Sequence, residues 1–345
     1  MKKLKFPENF DWGTASSGPQ SEGSQDKPHE SLWDYWYKND KERFYQNVGP
    51  KITCDSYNRY KEDIKIMAEL GLKSFRTSIQ WTRLIKNLET GEPDPKAVEF
   101  YNNYINEMLE NGIEPVMNLF HFDTPIELEQ KYGGFKSKKV TELYVKFAKT
   151  AFELFGDRVK RWITFNEPVA HTKGAYLYNF IYPAELSTKS FAQASYNILL
   201  AHAGACKVYK SLQMGGEIGI VLDLLPPIPR SARSVDKYAA RVADLFFNMI
   251  FMDPCVNGQY DDEYLEILEK HDCMFDILPG EKELIKENTV DFIGINYYQP
   301  QRVNAPKYAP NVNAPFTPNW YFDDYEMPNR RMNVYRGWEI YPKSI

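Results

Sequence analysis

The chain has 345 residues, enough to bury the core of one large domain, and a net charge of −5 with acids and bases interspersed, which leaves no footprint for nucleic acid. No apolar run reaches the roughly 18 residues of a membrane span, and the start, Met1 to Pro7, lacks the apolar core of a signal peptide. Cys54, Cys206, Cys255 and Cys273 stand far apart and match no disulfide or metal framework, so the chain is expected to be cytoplasmic, reduced and free of metal and cofactor.

Phe10 to Ala15 reads as a first short strand, and Gln20-Ser21-Glu22-Gly23 follows a Ser/Gly/Pro turn. Residues 24–55 are polar and are expected to form a long loop. Tyr60, Ile64, Met67 and Leu70 space out an amphipathic helix closed by Gly71, and Ser74 to Ile79 follows as a second strand. The same order recurs down the chain. Pro95 opens a helix through Phe100, Tyr104 and Met108 that Gly112 stops, before a strand from Pro115 to Phe120. Val140, Leu143, Phe147, Ala151 and Leu154 mark the next helix, Gly156 stops it, and Arg161 to Phe165 is an apolar strand that delivers Asn166, Glu167 and Pro168. Ser190 to Leu212 is helical, Gly215-Gly216 stops it, and Ile218 to Leu222 is a strand. Ser234 to Met252 is helical, and Val290 to Ile295 is a sixth strand.

Helix, glycine and apolar strand, recurring at intervals of ~40–60 residues, indicate an α/β chain with a parallel sheet. No Gly-rich phosphate fingerprint follows the first strand, which disfavours a dinucleotide fold. Gln20, Arg76, His121, Glu167 and Asn296 all fall at or just past strand ends, which in a (β/α)8 barrel meet over one mouth. A carboxylate at such an end, beside the amide of Asn166, is placed for general acid–base work. Aromatics make up 15% of the chain, which suits both sugar-stacking clefts and large cores.

Six segments, in order, resemble the motifs of family 1 glycoside hydrolases. They are Phe10-x-x-Gly13-x-Ala15 with Gln20-x-Glu22-Gly23, Phe75 to Trp81, Phe120 to Pro125, Thr164 to Pro168, Gly294 to Tyr298 and Gly337 to Pro342. The resemblance implies a (β/α)8 barrel and a retaining β-glycosidase. Gln20 would hold two sugar hydroxyls, His121 another, and Asn166 the 2-hydroxyl, with Asn296 and Tyr298 as further substrate contacts. Glu167 would protonate the leaving oxygen and then deprotonate water. Arg76 and Tyr298 would orient the nucleophile carboxylate, and Trp338 would wall the leaving-group side.

Pro19 stands where family members commonly carry an aromatic residue, and Phe122 where they often have Trp. The form His121-Phe122-Asp123-Thr124-Pro125 resembles the branch acting on 6-phosphorylated β-glycosides, so the expected partner is a small β-glycoside, most readily a 6-phospho-β-glucoside. Alternatives are an ordinary β-glucosidase, a 6-phospho-β-galactosidase, a non-catalytic sugar-binding remnant, and an unrelated βα-barrel isomerase or lyase. Oligomerisation is left open. The family's nucleophile is a Glu before Asn-Gly on the seventh strand, and the chain reaches Ile345 before that motif. Residues 1–345 are therefore expected to hold about six of eight βα units of a single barrel domain and one of two catalytic carboxylates. Such a chain is expected to be inactive and poorly soluble, with Glu167 lacking the neighbouring negative charge that helps keep a catalytic acid protonated.

Overall fold

The computed structural model describes residues 5–345. Six strands, β1 (Gly13–Ala15), β2 (Ser74–Ser78), β3 (Glu114–Asn118), β4 (Arg161–Asn166), β5 (Glu217–Leu224) and β6 (Phe292–Tyr297), form one sheet and lie in it in chain order. β1 pairs with β2, β2 with β3, β3 with β4 and β5 with β6, all in parallel. A doubly wound sheet reverses its strand order at a switch point, whereas this order never reverses, which is the topology of a β/α barrel.

The helical crossovers follow from local periodicity. The helix Pro95–Glu110 starts on Asp94, whose carboxylate accepts from Lys96 N at 2.9 Å and Ala97 N at 3.1 Å, with Pro in the first turn. It buries Ala97, Phe100, Tyr101, Tyr104, Ile105 and Met108, the stripe that spacings of three and four residues put on one face. Each such large side chain contributes about 1.5–3 kcal/mol on burial. The helices Ser56–Glu69, Lys138–Phe155 and Thr188–Leu212 lie within about two residues of the expected spans. Gly71 and Gly112 end their helices at φ of +75° and +69°, a left-handed turn that glycine makes without strain. Gly156 acts otherwise: a Cβ there would come within 2.6 Å of Phe152 O, so the position is small because the backbone approaches closely.

Several expectations are corrected. Residues 24–55 are not a plain loop. Ser31 and Asp34 form a capping box that starts the helix Leu32–Asn39, and its Trp36 is buried. The expected helix from Ser234 to Met252 is Ser234–Asp244 followed by a π-helical stretch, Leu245–Met249, and the helix Ile250–Asn257. Gln20 lies on a helical turn, Gly18–Ser21, and Arg76 lies inside β2 rather than past its end. Short helices at Ile126–Tyr132, Pro168–Tyr176, Asp262–Lys270 and Glu281–Glu287, and a small sheet of Pro227–Pro229, Gln301–Asn304 and Asp323–Asp324, have no counterpart in the sequence reading.

The chain divides into two compact units. One comprises the described residues up to Leu128 with Lys146–Thr164 and Tyr209–Ile218, and the other Glu129–Val145, Phe165–Val208 and Gly219–Ile345. In the first, Trp162 is fully buried, its indole N–H donates to Val159 O at 3.2 Å, and Phe152 meets it edge-on at 5.0 Å. In the second, Tyr144 and Phe165 stack at 4.5 Å between ring centres.

Candidate active site

β4 ends at Asn166, and Pro168 opens the helix Pro168–Tyr176, so Glu167 is the hinge between them. Its backbone is left-handed, φ +50° and ψ +57°, a conformation that costs a non-glycine residue about 1–2 kcal/mol. Glu167 N donates to Val221 O at 2.8 Å, which fixes the hinge. The carboxyl of Glu167 meets donors from β6 and the residues just after it. Its Oε1 accepts from Asn296 Nδ2 and, at 3.2 Å, from the Tyr298 hydroxyl. Asn296 Nδ2 also donates to Asn166 Oδ1 at 3.1 Å, so one amide orients both polar residues of β4's end.

Glu167 is only 9% exposed. Burial raises its pKa above the ordinary glutamate value and the negative charge of Asp223 adds to this. The hydrogen bonds from Asn296 and Tyr298 and the charge of Lys173 pull the other way, and the net direction is upward. A carboxyl held so keeps its proton to higher pH and can serve as a general acid. The expectation that Glu167 stands without a neighbouring negative charge is therefore corrected: Asp223, on β5, supplies one. Asp223 lies opposite Asn296 in the β5–β6 register, and Lys173, on the helix after Glu167, sits with Nζ 3.4 Å from Asp223 Oδ2. Sequence reasoning missed both residues. The available signal was an aspartate closing the apolar run Ile218 to Leu222, the same pattern that singles out Glu167.

In the same unit Trp338 packs against Tyr298 with ring centres 4.9 Å apart, and both line a hollow of about 180 Å³. Glu339 is not a spare carboxylate, because Arg302 donates to both its oxygens at 2.7 Å. A cleft of about 310 Å³ is lined by Lys173, Tyr178, Phe247, Gln301, Arg302 and Arg330 among others.

The first unit holds the remaining candidates. Gln20 and His121 share a groove of about 480 Å³ walled by Trp33, Phe44 and Phe122. Burial and the nearby Arg76 push the His121 pKa down to about 3, so the ring is neutral. Its Nδ1 faces the Asn118 amide nitrogen at 3.4 Å, while that nitrogen donates to Phe120 O at 2.8 Å. An amide nitrogen only donates, so Nδ1 faces it as the acceptor of the neutral ring. His121 N donates to Asp123 Oδ1 at 2.9 Å, and Arg76 Nη1 donates to Ser16 O at 3.1 Å. The structure thus brings Glu167, Asn166, Asn296, Tyr298 and Trp338 together in one unit, and Gln20, His121 and Arg76 in the other.

The model of glycosyl hydrolase family 1 matches residues 2–345. The chain belongs to that family. Family 1 relatives include the 6-phospho-beta-glucosidase GmuD of Bacillus subtilis strain 168, 46% identical over 346 residues that cover 100% of this chain and 74% of the relative. A 6-phospho-beta-galactosidase of Clostridium acetobutylicum is 36% identical over 309 residues, 87% of this chain and 64% of the relative. Among solved structures, the family 1 β-glucosidase from Thermotoga maritima superposes with a TM-score of 0.87 at 32% identity, covering 99% of this chain and 73% of that one. The fold is accordingly an incomplete (β/α)8 barrel, and the chain is a family 1 glycoside hydrolase of the retaining β-glycosidase type.

Proposed function

We propose that this chain carries the acid/base half of a retaining β-glycosidase acting on 6-phospho-β-glucosides in the cytoplasm. The observation that carries the reading is Glu167 itself, a buried carboxyl at a strand end, in strained backbone, oriented by Asn296 and Tyr298 and shifted towards its protonated form. In the first step the Glu167 carboxyl gives its proton to the glycosidic oxygen as the bond to the anomeric carbon breaks. In the second, the carboxylate takes a proton from water attacking the glycosyl-enzyme. The covalent partner is a second carboxylate about 5–5.5 Å away, which every retaining mechanism of this kind requires. Asn166, ordered by Asn296, binds the 2-hydroxyl, and Gln20 and His121 bind sugar hydroxyls. Trp338 faces the leaving group, and Arg76 and Tyr298 help orient the nucleophile. Tyr298 donates to Glu167 as the chain stands, so its service to the nucleophile requires the hydroxyl to turn.

The phosphate preference rests on the 46% identity to a 6-phospho-beta-glucosidase and on the form of His121 to Pro125. The test is hydrolysis of p-nitrophenyl β-glucoside with and without a 6-phosphate, in a form of the protein that carries the nucleophile. A kcat/KM ratio well above one is expected, and a ratio at or below one moves the chain to the ordinary β-glucosidases. In the same form, Glu167→Gln should lose roughly 10²–10⁴-fold in turnover of an alkyl β-glucoside and much less with an activated leaving group. Equal losses with both leaving groups would refute the acid/base role.

A further inference from the structure

Asp223 is an unusual buried carboxylate in this molecule. Two other buried carboxylates, Glu22 and Glu339, are fully engaged, whereas Asp123, whose Oδ2 also lacks a hydrogen-bond partner among the described residues, accepts His121 N with its Oδ1. Glu22 accepts from Arg83 at 2.8 Å and Gln80 at 2.6 Å, and Glu339 accepts both arms of the Arg302 fork. Asp223 is 7% exposed, yet among the described residues its only ion-pair contact is Lys173 at 3.4 Å, and its Oδ1 is buried there without a hydrogen-bond partner. A charge buried on those terms costs stability, because a long single contact returns little of the desolvation penalty.

Position supplies the reason. Asp223 is the register partner of Asn296, Asn296 donates to Glu167, and Glu167 N is bonded to Val221, two residues before Asp223 on the same face of β5. The groups facing Glu167 are therefore Asn296 and Tyr298 from β6 and its end, Lys173 from the helix Pro168–Tyr176, and Asp223 from β5. Asn296 and Tyr298 are neutral donors, and Lys173 and Asp223 are the charges.

We propose that Asp223 is a positioning residue for the acid/base catalyst: with Lys173 as its counter-ion, it is a fixed carboxylate beside Glu167 that keeps the proton on Glu167 until the leaving oxygen accepts it. The inference rests on the assignment of Glu167 as acid/base. Lys173 is the counter-charge to Asp223 and opposes its effect on Glu167, so the pair sets the proton affinity of Glu167 between two limits. The charge that a retaining site draws from its nucleophile is thus supplemented by one built into the neighbouring strand, and it persists after the nucleophile has been glycosylated and neutralised. In that second step Glu167 must act as base, and Lys173 limits how firmly it holds the proton.

The experiment is a pH titration of side-chain carboxyl carbons by heteronuclear NMR on this chain, with the Glu167 signal assigned by its loss in Glu167→Gln. Asp223→Asn should lower the Glu167 midpoint by about one unit. Asp223→Glu, which keeps the charge, should restore most of it. Lys173→Met should move the midpoint upward, which tests the pair from the other side should Asp223→Asn fail to fold. In a form that carries the nucleophile, the alkaline limb of the kcat/KM profile should follow the same shifts. A Glu167 midpoint unmoved by Asp223→Asn, or moved equally by Asp223→Glu, overturns the inference and leaves Asp223 as an ordinary buried ion pair. Failure of the acid/base assignment has a separate mark, unchanged hydrolysis of an alkyl β-glucoside by Glu167→Gln, and that outcome overturns the catalytic purpose of Asp223 as well.

Discussion

Arg83→Met should be among the most damaging single substitutions outside the hydrophobic core, and the reason lies in what Arg83 neutralises. Its side chain is 1% exposed and Glu22 is 0% exposed, with Arg83 Nε donating to Glu22 Oε2 at 2.8 Å. The guanidinium also donates to Gln25 O at 2.6 Å and Gly23 O at 3.0 Å, so one residue satisfies a buried charge and two loop carbonyls. Removing one partner of a buried pair costs about 3–5 kcal/mol, because the other charge stays buried and uncompensated. Unfolding entropy of about 2.1 cal/mol/K per residue over 345 residues gives roughly 0.7 kcal/mol/K, so Tm should fall by about 4–7 °C. Scanning calorimetry with urea unfolding is the assay. The decisive control is the double variant Glu22→Gln/Arg83→Met, which removes both charges and should recover at least about 2 kcal/mol. An Arg83→Met cost below about 1 kcal/mol, or a double variant no more stable than the single one, would refute the reasoning. The same pair ties the residues after Gln20 to the segment from Gln80, so Arg83→Met should also loosen the Gln20 groove.

Two further predictions concern pH. Burial lifts the Glu129 pKa to about 7, Lys136 opposing and Glu185 adding to the shift, so the stability from its neutral form is present below the ordinary glutamate pKa of 4.5 and lost as pH rises through about 7. Glu129→Gln should therefore leave urea midpoints near pH 4.5 unchanged and stabilise the chain at pH 8 by about 1–3 kcal/mol, and an equal effect at both pH values would contradict it. Burial, joined by Arg76 for His121, lowers the pKa of His121 to about 3 and of His171 to about 4. Their imidazole NMR signals should not titrate between pH 5 and 8, and stability should decline as pH falls below 6.5; a midpoint near 6.5 for either ring would overturn the neutral assignment.

What the sequence made legible was whatever is encoded locally. The helix Pro95–Glu110 announces its start with Asp94-Pro95 and its buried face by spacing, and Glu167 stands out because a carboxylate interrupts an apolar run before a proline. Its likeness to a family motif added a role. The helix Leu32–Asn39 was hidden because it is only eight residues long and its Leu, Trp and Tyr residues follow one another too closely to mark a period, so that only the capping signal of Ser31 and Asp34 announced it. The π-helical stretch at Leu245–Met249 inserts one residue per turn without changing the apolar pattern, so nothing marks it in the sequence. The Lys173–Asp223 pair joins residues 50 apart, and only the packing of the helix Pro168–Tyr176 against the end of β5 brings them together.

Register is what makes the acid/base end of the site robust. In a parallel sheet ordered as the chain runs, the residue that ends one strand has fixed neighbours at the ends of the next. Glu167 leaves β4, Asp223 and Asn296 face each other across β5 and β6, and each adds a different influence on one carboxyl. A hydrogen-bond donor on β6 and a negative charge on the adjacent β5 act in opposite directions, so neither alone fixes where Glu167 titrates. An acid that must release its proton in one step and recover one in the next needs that balance, since a carboxyl held only by donors stays ionised and one held only by burial and charge stays protonated. Sheet register holds Asp223 and Asn296 in place independently of any loop, which puts the tuning of the catalyst in the most rigid part of the fold and leaves the loops free to vary with the leaving group.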